Sequence, residues 1–385
     1  MRILFTVHHE LDPDTGAAGA TLQLASSLRN LGHQVEIFGF EHVRPRLDDR
    51  LDSLLFPPVA SVRILRELRG GHVDIVDAST GDLWPIPRRV VAASRAVVVA
   101  RSHGLEQIAH RAVLDAHARG ELHLSRHYPV YHGGIRLWQV SRTLRSADAV
   151  LFLNTEEREY AIENLRVRRA GTRIVQNGIP SELLNLPWRE TPSPDAPIGV
   201  ALVGSYSWRK GAPIAVAVLS QTLRTEPRLE ATWLGSGASA DEVRRSFPSD
   251  VRDRLTVVPG YDRRALAPLL RDSHLLLFPS RSEGFSLALV EAMACGLAPV
   301  ASDIGGAHDL LSGGSAGVLV SPGDASGFAS TLDRLIHDRN LLDSMRRSAS
   351  DLAQSYSWNA VARTLAMSYQ DLLNEKASQR EAVAP

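Results

Sequence analysis

The segment that is most informative about the fold runs from Arg281 to Gly296 and has the sequence RSEGFSLALVEAMACG. It follows a short apolar run, Leu275 to Phe278, which has the length and composition of a buried strand. A glycine-containing turn comes next, and an almost wholly apolar run then predicts a helix that begins near Phe285. A strand, a turn and a helix in this order are typical of a βα unit in a parallel sheet.

Two glutamates flank the start of this predicted helix. Glu283 lies in the turn, and Glu291 falls in the second helical turn. The backbone N–H groups of Gly284, Phe285 and Ser286 would lack helical partners, so together with the helix dipole they favour a bound anion. Carboxylates beside such an anion suit a sugar and a ribose, because carboxylates accept hydrogen bonds from paired hydroxyls.

Ordinary structural roles are the alternative for both glutamates. Glu283 would then be a helix-capping partner and Glu291 a solvated residue of the helix. The helix around Glu291 is apolar, which predicts a half-buried carboxylate; its neighbours are Leu287, Leu289, Val290, Ala292, Met293 and Ala294. Because a buried charge needs a partner or a function, we favour the functional interpretation.

The same alternation of short apolar strands and helices runs through the rest of the sequence, and it predicts parallel, doubly wound sheets. A stretch rich in proline, from Pro180 to Pro197, predicts a linker between two domains. The predicted strands are Ile3–Val7, Val35–Phe38, Val73–Val76, Ala96–Ala100, Ala149–Leu153, Ile198–Val203, Ala231–Leu234, Leu255–Val258, Leu275–Phe278, Ala298–Ala301 and Gly317–Val320.

Two predictions concern the ends of the chain. After the first strand we expect a polar loop from His8 to Gly19 and then a helix from Thr21 to Leu31. We expect the last helix to cover Asn359 to Leu373 and the tail from Glu375 to Pro385 to be frayed.

Composition narrows the class of protein. With 385 residues, 44% hydrophobic and 22% charged, the chain is globular and long enough for two domains. The formal net charge is zero, which argues against binding nucleic acid by bulk electrostatics. A single cysteine, Cys295, excludes an internal disulfide and a cysteine-based zinc site. The N-terminus has no signal-peptide pattern and no apolar run is long enough to span a membrane, so we expect a cytoplasmic protein.

A second motif, VGSYSWRKGAP from Val203 to Pro213, places cations in a glycine turn after a predicted strand. Lys210 and Lys376 are the only lysines of the sequence, so Lys210 in this turn is unusual. A compact ammonium there, with the Arg209 guanidinium beside it, would neutralise a diphosphate. A solvated basic turn is the alternative, and it suits Arg209 better than Lys210.

Two further strand ends carry candidate residues. The loop from Asp14 to Gly19 contains glycines that permit a close approach of backbone to phosphate, although a turn is the simpler explanation. Asp12 and Asp14 form an Asp-x-Asp pattern, which we interpret as loop capping rather than as a metal site. His103 directly follows a predicted strand, at the end where ligands of open parallel sheets bind.

The segment from Leu105 to Arg136 is rich in histidine and arginine. His103, His110 and His117 recur every seven residues, which would allow a metal site, but no carboxylate or cysteine completes one. We favour a solvated helical segment, with recognition of an acceptor as the alternative. The aromatic rings of Trp84, Tyr128, Tyr131 and Trp138 would stack on an acceptor, or belong to the core.

The run EGFSLALVEAMACGLAPVAS resembles the two-glutamate signature of retaining family 4 glycosyltransferases of the GT-B fold. Similar in the same way are Ser302, Asp303, Gly305 and Gly306, the NGI at 177–179 and the SYSW at 355–358. The resemblance implies two Rossmann-like domains with parallel sheets facing across a cleft. It implies an N-terminal acceptor domain at 1–185, a donor domain at 186–357, and a C-terminal helix and tail at 358–385 that pack on the first domain.

The resemblance also implies roles for individual residues. Glu283 would contact hydroxyls of the transferred sugar, and Glu291 would hold the ribose. The backbone from Gly284 through Phe285 and Ser286 to Leu287 would meet the diphosphate and sugar. Gly19 would lie near the donor phosphates, Gly260 and Tyr261 near the base, and His103 beside the transferred sugar, with Trp84 and Tyr131 on the acceptor side. The family carries an arginine where this chain has Ser205.

The resulting hypothesis is a metal-independent glycosyltransferase without a cofactor, whose co-substrate is a nucleotide diphosphate sugar, with a UDP-sugar favoured over a GDP-sugar. The acceptor would be a small molecule, a glycan or a lipid-linked molecule, and peripheral contact with the inner membrane face stays open. Alternatives are a nucleotide-sugar epimerase or sugar phosphorylase on the same fold, and a non-catalytic nucleotide-sugar-binding subunit.

Overall fold

The structure is a computed structural model that describes residues 1–13, 16–43 and 49–382, without the side chains of 49–54. The chain divides into two compact units. The first unit contains residues 1–178 together with the chain from Trp358 onward, and the second contains Ile179–Ser357. The boundary predicted from the sequence followed residue 185.

The first unit is built on a six-stranded sheet in which all neighbouring strands are parallel, in the order β2-β1-β3-β4-β5-β6. Its central strands are buried because helices cover both faces of such a sheet. The strands are β1 (Arg2–Thr6), β2 (Gln34–Phe38), β3 (Ile75–Ser79), β4 (Val97–Arg101), β5 (Ala149–Phe152) and β6 (Thr172–Ile174).

Helices connect these strands in chain order. They are α1 (Gly16–Asn30), α2 (Asp49–Gly70), α3 (Arg88–Ala93), α4 (Glu106–Ala118), α5 (Tyr128–Val130), α6 (Leu137–Ser146) and α7 (Thr155–Leu165). Short 3₁₀ helices cover Phe40–His42 and Arg169–Gly171, and a π-helix covers Tyr131–Arg136.

The second unit repeats the same architecture with the strand order β12-β11-β10-β7-β8-β9, again all parallel. Its strands are β7 (Ile198–Val203), β8 (Leu229–Leu234), β9 (Leu255–Val258), β10 (Leu275–Phe278), β11 (Ala298–Ser302) and β12 (Val318–Val320). Its helices are α8 (Ala212–Thr225), α9 (Ala240–Arg245), α10 (Leu266–Leu269), α11 (Leu287–Ala294), α12 (Gly305–Leu311), α13 (Ala325–His337) and α14 (Arg339–Gln354), with 3₁₀ helices at Ser181–Leu183, Ser249–Arg254 and Arg263–Ala265. The prediction of two parallel-sheet α/β domains is confirmed.

The last helix, α15 (Trp358–Glu381), packs on α1 and β4 of the first unit. It continues beyond the predicted end because side chains of its last turns form hydrogen bonds with the segments that connect the strands of the first sheet. Lys376 Nζ donates to the carbonyls of Val91 and Ala96 and lies 2.6 Å from Asp148 Oδ2. The prediction of a frayed tail from Glu375 is therefore wrong as far as Glu381, and residues 383–385 lie outside the described residues.

Three further predictions differ from the structure. β3 begins at Ile75 and continues through polar residues to Ser79, whereas the sequence predicted Val73–Val76. The apolar pattern ended too early because Ser79 is buried and donates to the Thr6 carbonyl. The short strand β6 was missed, and α1 begins at Gly16 rather than Thr21.

No helix among the described residues has the length and apolar character that crossing a membrane would require.

A buried polar network ties α15 to the centre of the first sheet. Asp77 of β3, Arg101 of β4 and Tyr369 of α15 are each at most 4% exposed. The Arg101 guanidinium donates to both Asp77 carboxylate oxygens, and the Tyr369 hydroxyl donates to Asp77 Oδ2. Burial raises the pKa of the Tyr369 phenol, and the Asp77 charge raises it further, so Tyr369 stays a donor.

Replacing Asp77 by alanine is expected to destabilise the protein by about 3–5 kcal/mol, because Arg101 would be left as an unpaired buried charge. Urea denaturation followed by circular dichroism measures the loss. The matched control is Asp250→Ala, which breaks an ion pair with Arg224 whose two side chains are both 54% exposed. The control is expected to unfold at nearly the wild-type urea concentration, and equal losses in the two variants would contradict a central role for the network.

Candidate functional site

The loop between β10 and α11 forms the centre of a candidate site in the second unit. Helix α11 begins at Leu287, two residues later than predicted, and Ser286 occupies the N-cap position with extended backbone. The first N–H groups of the helix therefore lack helical partners at Ser286, Leu287 and Ala288. The Ser286 hydroxyl is buried and has no hydrogen-bond partner among the described residues. A hydroxyl donor and several backbone donors thus converge at the positive end of a helix.

Glu283 lies beside this helix start and is held by cations from the loop after β7. Lys210 Nζ lies 2.6 Å from Glu283 Oε1, and both side chains are mostly buried, at 19% and 9% exposed. Arg209 Nη1 lies 3.4 Å from Glu283 Oε2, and it also donates to the Ser282 carbonyl at 3.3 Å. The Arg209 side chain is 53% exposed, so Lys210 is the principal partner of Glu283.

Glycine backbone explains how Lys210 reaches this position. Gly211 has a φ of 75°, and a Cβ atom there would lie 2.0 Å from the Pro279 carbonyl oxygen. No other residue allows the loop after β7 to approach the end of β10 so closely. The Arg281 N–H donates to the Arg209 carbonyl at 2.9 Å and fastens the two loops together.

Glu291 lies one helical turn inside α11 and is 5% exposed, as the apolar sequence around it predicted. Its partner is Arg263, from the 3₁₀ helix after β9. Arg263 Nε donates to Glu291 Oε1 at 3.0 Å, and Arg263 Nη2 donates to the same oxygen. The ion pair leaves Glu291 Oε2 available to a further donor. Tyr261 lies nearby, and burial, followed by the Glu291 charge, raises the pKa of its phenol to about 12.

The other predicted donor-side residues lie as follows. Phe285 is 7% exposed and its ring centroid lies 5.8 Å from that of Tyr356, so its side chain belongs to the core. Gly284 contributes backbone, since a Cβ on Gly306 would lie 2.5 Å from the Gly284 carbonyl oxygen. Gly260 has open space around it.

In the first unit, His103 follows β4, and residues on both sides of it in the sequence are hydrogen-bonded to Glu157. Ser102 Oγ donates to Glu157 Oε2 at 2.8 Å, and the Leu105 N–H donates to Glu157 Oε1 at 2.9 Å. Burial of the ring, followed by the positive charge of Arg101, lowers the pKa of His103 to about 3. His103 is therefore neutral at physiological pH, with one nitrogen able to donate and the other to accept.

A second histidine, His8, lies at the end of β1 in a chain of charged groups. His8 Nδ1 lies 2.9 Å from Oδ1 of the fully buried Asp82, and Arg136 Nη2 lies 3.0 Å from His8 Nε2. Because a guanidinium only donates, Nε2 is the acceptor and Nδ1–H donates to Asp82, which fixes the neutral tautomer. Arg136 also donates to Glu106 Oε1 at 2.8 Å.

Three predicted residues of the first unit are not joined to His103 by any hydrogen bond, ion pair or ring contact between described residues. Gly19 lies inside α1 rather than in a loop, and a Cβ there would meet the Pro13 carbonyl oxygen at 2.4 Å. The absence of a side chain on Gly19 therefore leaves room for the backbone of Pro13. Asp14 and Thr15 of the same predicted loop lie outside the described residues. Trp84 packs on Trp138 with ring centroids 5.5 Å apart, and Tyr131 contacts His132.

Sequence reasoning missed Arg263, Glu157, His8, Asp82 and Arg136. The rule that selected His103, a polar residue just after a parallel strand, applies equally to His8 and Asp82 and would have found them. Arg263 and Arg136 reach their partners across long sequence separations, so no local pattern marks them.

Comparisons with known proteins agree with this architecture. Residues 15–183 match the family described as "Glycosyltransferase Family 4", and residues 197–338 match the family described as "Glycosyl transferases group 1". The phosphatidyl-myo-inositol mannosyltransferase of Mycolicibacterium smegmatis is 25% identical over 400 residues, which are 96% of this chain and 94% of that protein.

Solved structures share the fold at low sequence identity. Sucrose-phosphate synthase from Thermosynechococcus elongatus superposes with a TM-score of 0.75 at 20% identity, over 97% of this chain and 99% of that chain. Anabaena HepE, solved in complex with UDP-glucose, superposes with a TM-score of 0.67 at 18% identity, over 96% of this chain and all of that chain. With a family 4 domain followed by a group 1 domain on two parallel-sheet units, the chain belongs to the family 4 glycosyltransferases of the GT-B fold.

Proposed function

We propose that this glycosyltransferase moves a sugar from a nucleotide diphosphate sugar to an acceptor hydroxyl and retains the anomeric configuration. The observation that carries the proposal is the Lys210–Glu283 pair at the start of α11. An ammonium, a carboxylate and free helix N–H groups meet there, which are the groups that a sugar diphosphate needs. A UDP-sugar is the donor that we favour, and the HepE complex with UDP-glucose on a similar fold supports this choice.

The developing negative charge of the leaving diphosphate is the main electrostatic demand of the reaction. Lys210 and the α11 N–H groups, with the Ser286 hydroxyl, would stabilise this charge from fixed positions, which is the efficient arrangement for catalysis. Arg209 would add a more exposed charge in place of the arginine that the family carries at Ser205. We propose that these protein cations neutralise the diphosphate without a metal ion.

Glu283 and Glu291 would bind hydroxyls on the two sides of the diphosphate. Lys210 would turn from Glu283 toward the phosphate, which frees Glu283 oxygens to accept hydrogen bonds from the transferred sugar. Glu291 Oε2 would accept from the ribose while Arg263 holds the carboxylate in place. Neutral His103 would hold a hydroxyl of the transferred sugar. The acceptor proton would pass to the donor phosphate in a displacement on one face of the sugar.

The acceptor that we propose is a polyol or a lipid-linked molecule. The relative matched over nearly its whole length acts, by its name, on a phosphatidylinositol, which supports this acceptor class. Trp84 and Tyr131 stay our candidate acceptor contacts.

Replacing Lys210 or Glu283 by alanine is expected to lower kcat by about 100-fold or more, because each removes a group that acts on the transition state. Release of UDP from a panel of UDP-sugars with polyol acceptors measures the rate, and circular dichroism checks the fold. Arg334→Ala and Glu230→Ala, which remove exposed charges from the same unit, are the matched controls and should keep wild-type rates.

Wild-type turnover by Lys210→Ala or Glu283→Ala would exclude this site assignment. An epimer formed from the donor alone, or a sugar phosphate formed with inorganic phosphate, would replace the proposed reaction by one of the alternatives on the same fold.

The pH dependence of transfer is expected to show no ionisation of His103 between pH 5 and pH 8. Its pKa is lowered to about 3, so the ring is neutral above that value in the folded protein. The His103→Gln variant should therefore have a lower rate and the same shape of pH profile as wild type. The disappearance of a titration near neutral pH in the variant would show that His103 acts as a titrating base.

A further inference from the structure

A cavity of about 260 Å³ lies at the C-terminal end of α11, the end opposite to Glu283. The segment Leu186–Arg189, near the beginning of the second unit, forms one wall of the cavity. Helices α10 and α14 and the end of α11 form the others. Because α11 has eight residues and is about 12 Å long, this cavity is separate from the helix start described above. Its volume approaches the lower end of the range for small-molecule sites.

The cavity is positively charged. Arg189, Arg271 and Arg346 line it, and no carboxylate is among the described residues that do so. Burial, followed by the charge of Arg189, lowers the pKa of the Arg346 guanidinium to about 10. Burial likewise lowers the pKa of Arg189; Cys295 and the Asp272 carboxylate oppose this shift, and the Arg271 charge adds to it. Arg189 is therefore repelled by both Arg271 and Arg346, and a bound anion would relieve that repulsion.

Two of these arginines have structural roles that use their donors. Arg346 is fully buried and donates to the Gly296 and Arg189 carbonyls and to the Thr191 hydroxyl. Arg189 donates to the Cys295 carbonyl at 2.6 Å. Arg271 differs, because its exposed guanidinium has no hydrogen bond or ion pair with any described residue. The cavity thus has one cation whose donors are available.

Trp188 contributes an aromatic ring to the lining of the cavity. Two guanidinium groups lie near this ring, with Arg346 Cζ at 4.9 Å and Arg347 Cζ at 4.4 Å from the ring centroid. Its indole Nε1–H is buried and not exposed to the cavity, so the ring offers apolar contact. The apolar part of the lining comes from Leu186, Pro187, Ala267, Pro268, Ala294 and Gly296.

We propose that this cavity is a second ligand site, which takes a small organic anion with an apolar body. The anionic group would lie against Arg271 and the field of Arg189 and Arg346. The apolar body would pack between Pro187, Pro268 and the end of α11, against the Trp188 ring. The cavity is smaller than a drug-sized site requires, so the ligand is smaller than a nucleotide-sugar.

Isothermal titration of the full-length protein with phenyl phosphate tests the proposal, and phenol and inorganic phosphate serve as fragments of this probe. We expect saturable binding of phenyl phosphate and weaker binding of each fragment. Arg271→Glu should weaken phenyl phosphate binding by about tenfold or more, because it replaces an attraction by a repulsion. Ser350→Trp, which fills the cavity from α14, should abolish it.

A control variant and a competitor separate this site from other phosphate binding. Arg334→Glu makes the same charge change on α13, away from the cavity, and should bind phenyl phosphate as wild type does; excess UDP, which would occupy the site at the start of α11, should leave saturable binding of phenyl phosphate in the cavity. The absence of saturable binding to wild type, undiminished binding to Arg271→Glu, equal binding of either fragment, or loss of saturable binding in the presence of UDP would each overturn the proposal. Because the readout is binding rather than turnover, its failure is distinguishable from failure of the proposed transfer reaction.

Discussion

The contact between Gly211 and the carbonyl of Pro279 is the constraint on which the donor-side site depends. β7 and β10 are neighbours in the second sheet, so the loops that follow them leave from the same edge. Only a glycine with positive φ allows these loops to touch, because a Cβ would overlap the Pro279 oxygen. Lys210, the residue before this glycine, is thereby delivered to Glu283 at the start of α11.

Charge balance follows from this geometry. Glu283 and Glu291 are both largely buried, and both are paired with cations from other loops, Glu283 chiefly with Lys210 and Glu291 with Arg263. Such pairs are weak contributors to stability because desolvation offsets the attraction. These pairs position the carboxylates, since an incoming diphosphate can bind Lys210 while Arg263 continues to hold Glu291. The unit thus keeps two carboxylates oriented around one helix start that favours an anion.

The sequence predicted the fold class well because buried parallel strands read as apolar runs separated by turns. Predictions failed where polar groups are buried with partners: β3 continues past its apolar run through Asp77 and Ser79, and α15 continues to Glu381 because Lys376 is bonded to the sheet.

In the site, the apolar setting of Glu291 and the rarity of Lys210 were local signals. Arg263 carries no such signal, because its partner lies 28 residues away. Gly19 has a structural reason to be glycine, since a Cβ there would meet the Pro13 carbonyl oxygen, and its place near the donor phosphates stays a prediction.

A crystal structure of the protein with bound UDP would show whether the start of α11 holds the donor. We expect the diphosphate at the start of α11, with a β-phosphate oxygen accepting hydrogen bonds from Lys210 Nζ and from the Leu287 N–H, and with the ribose hydroxyls on Glu291. A diphosphate bound elsewhere, with the Lys210–Glu283 pair unchanged, would contradict it.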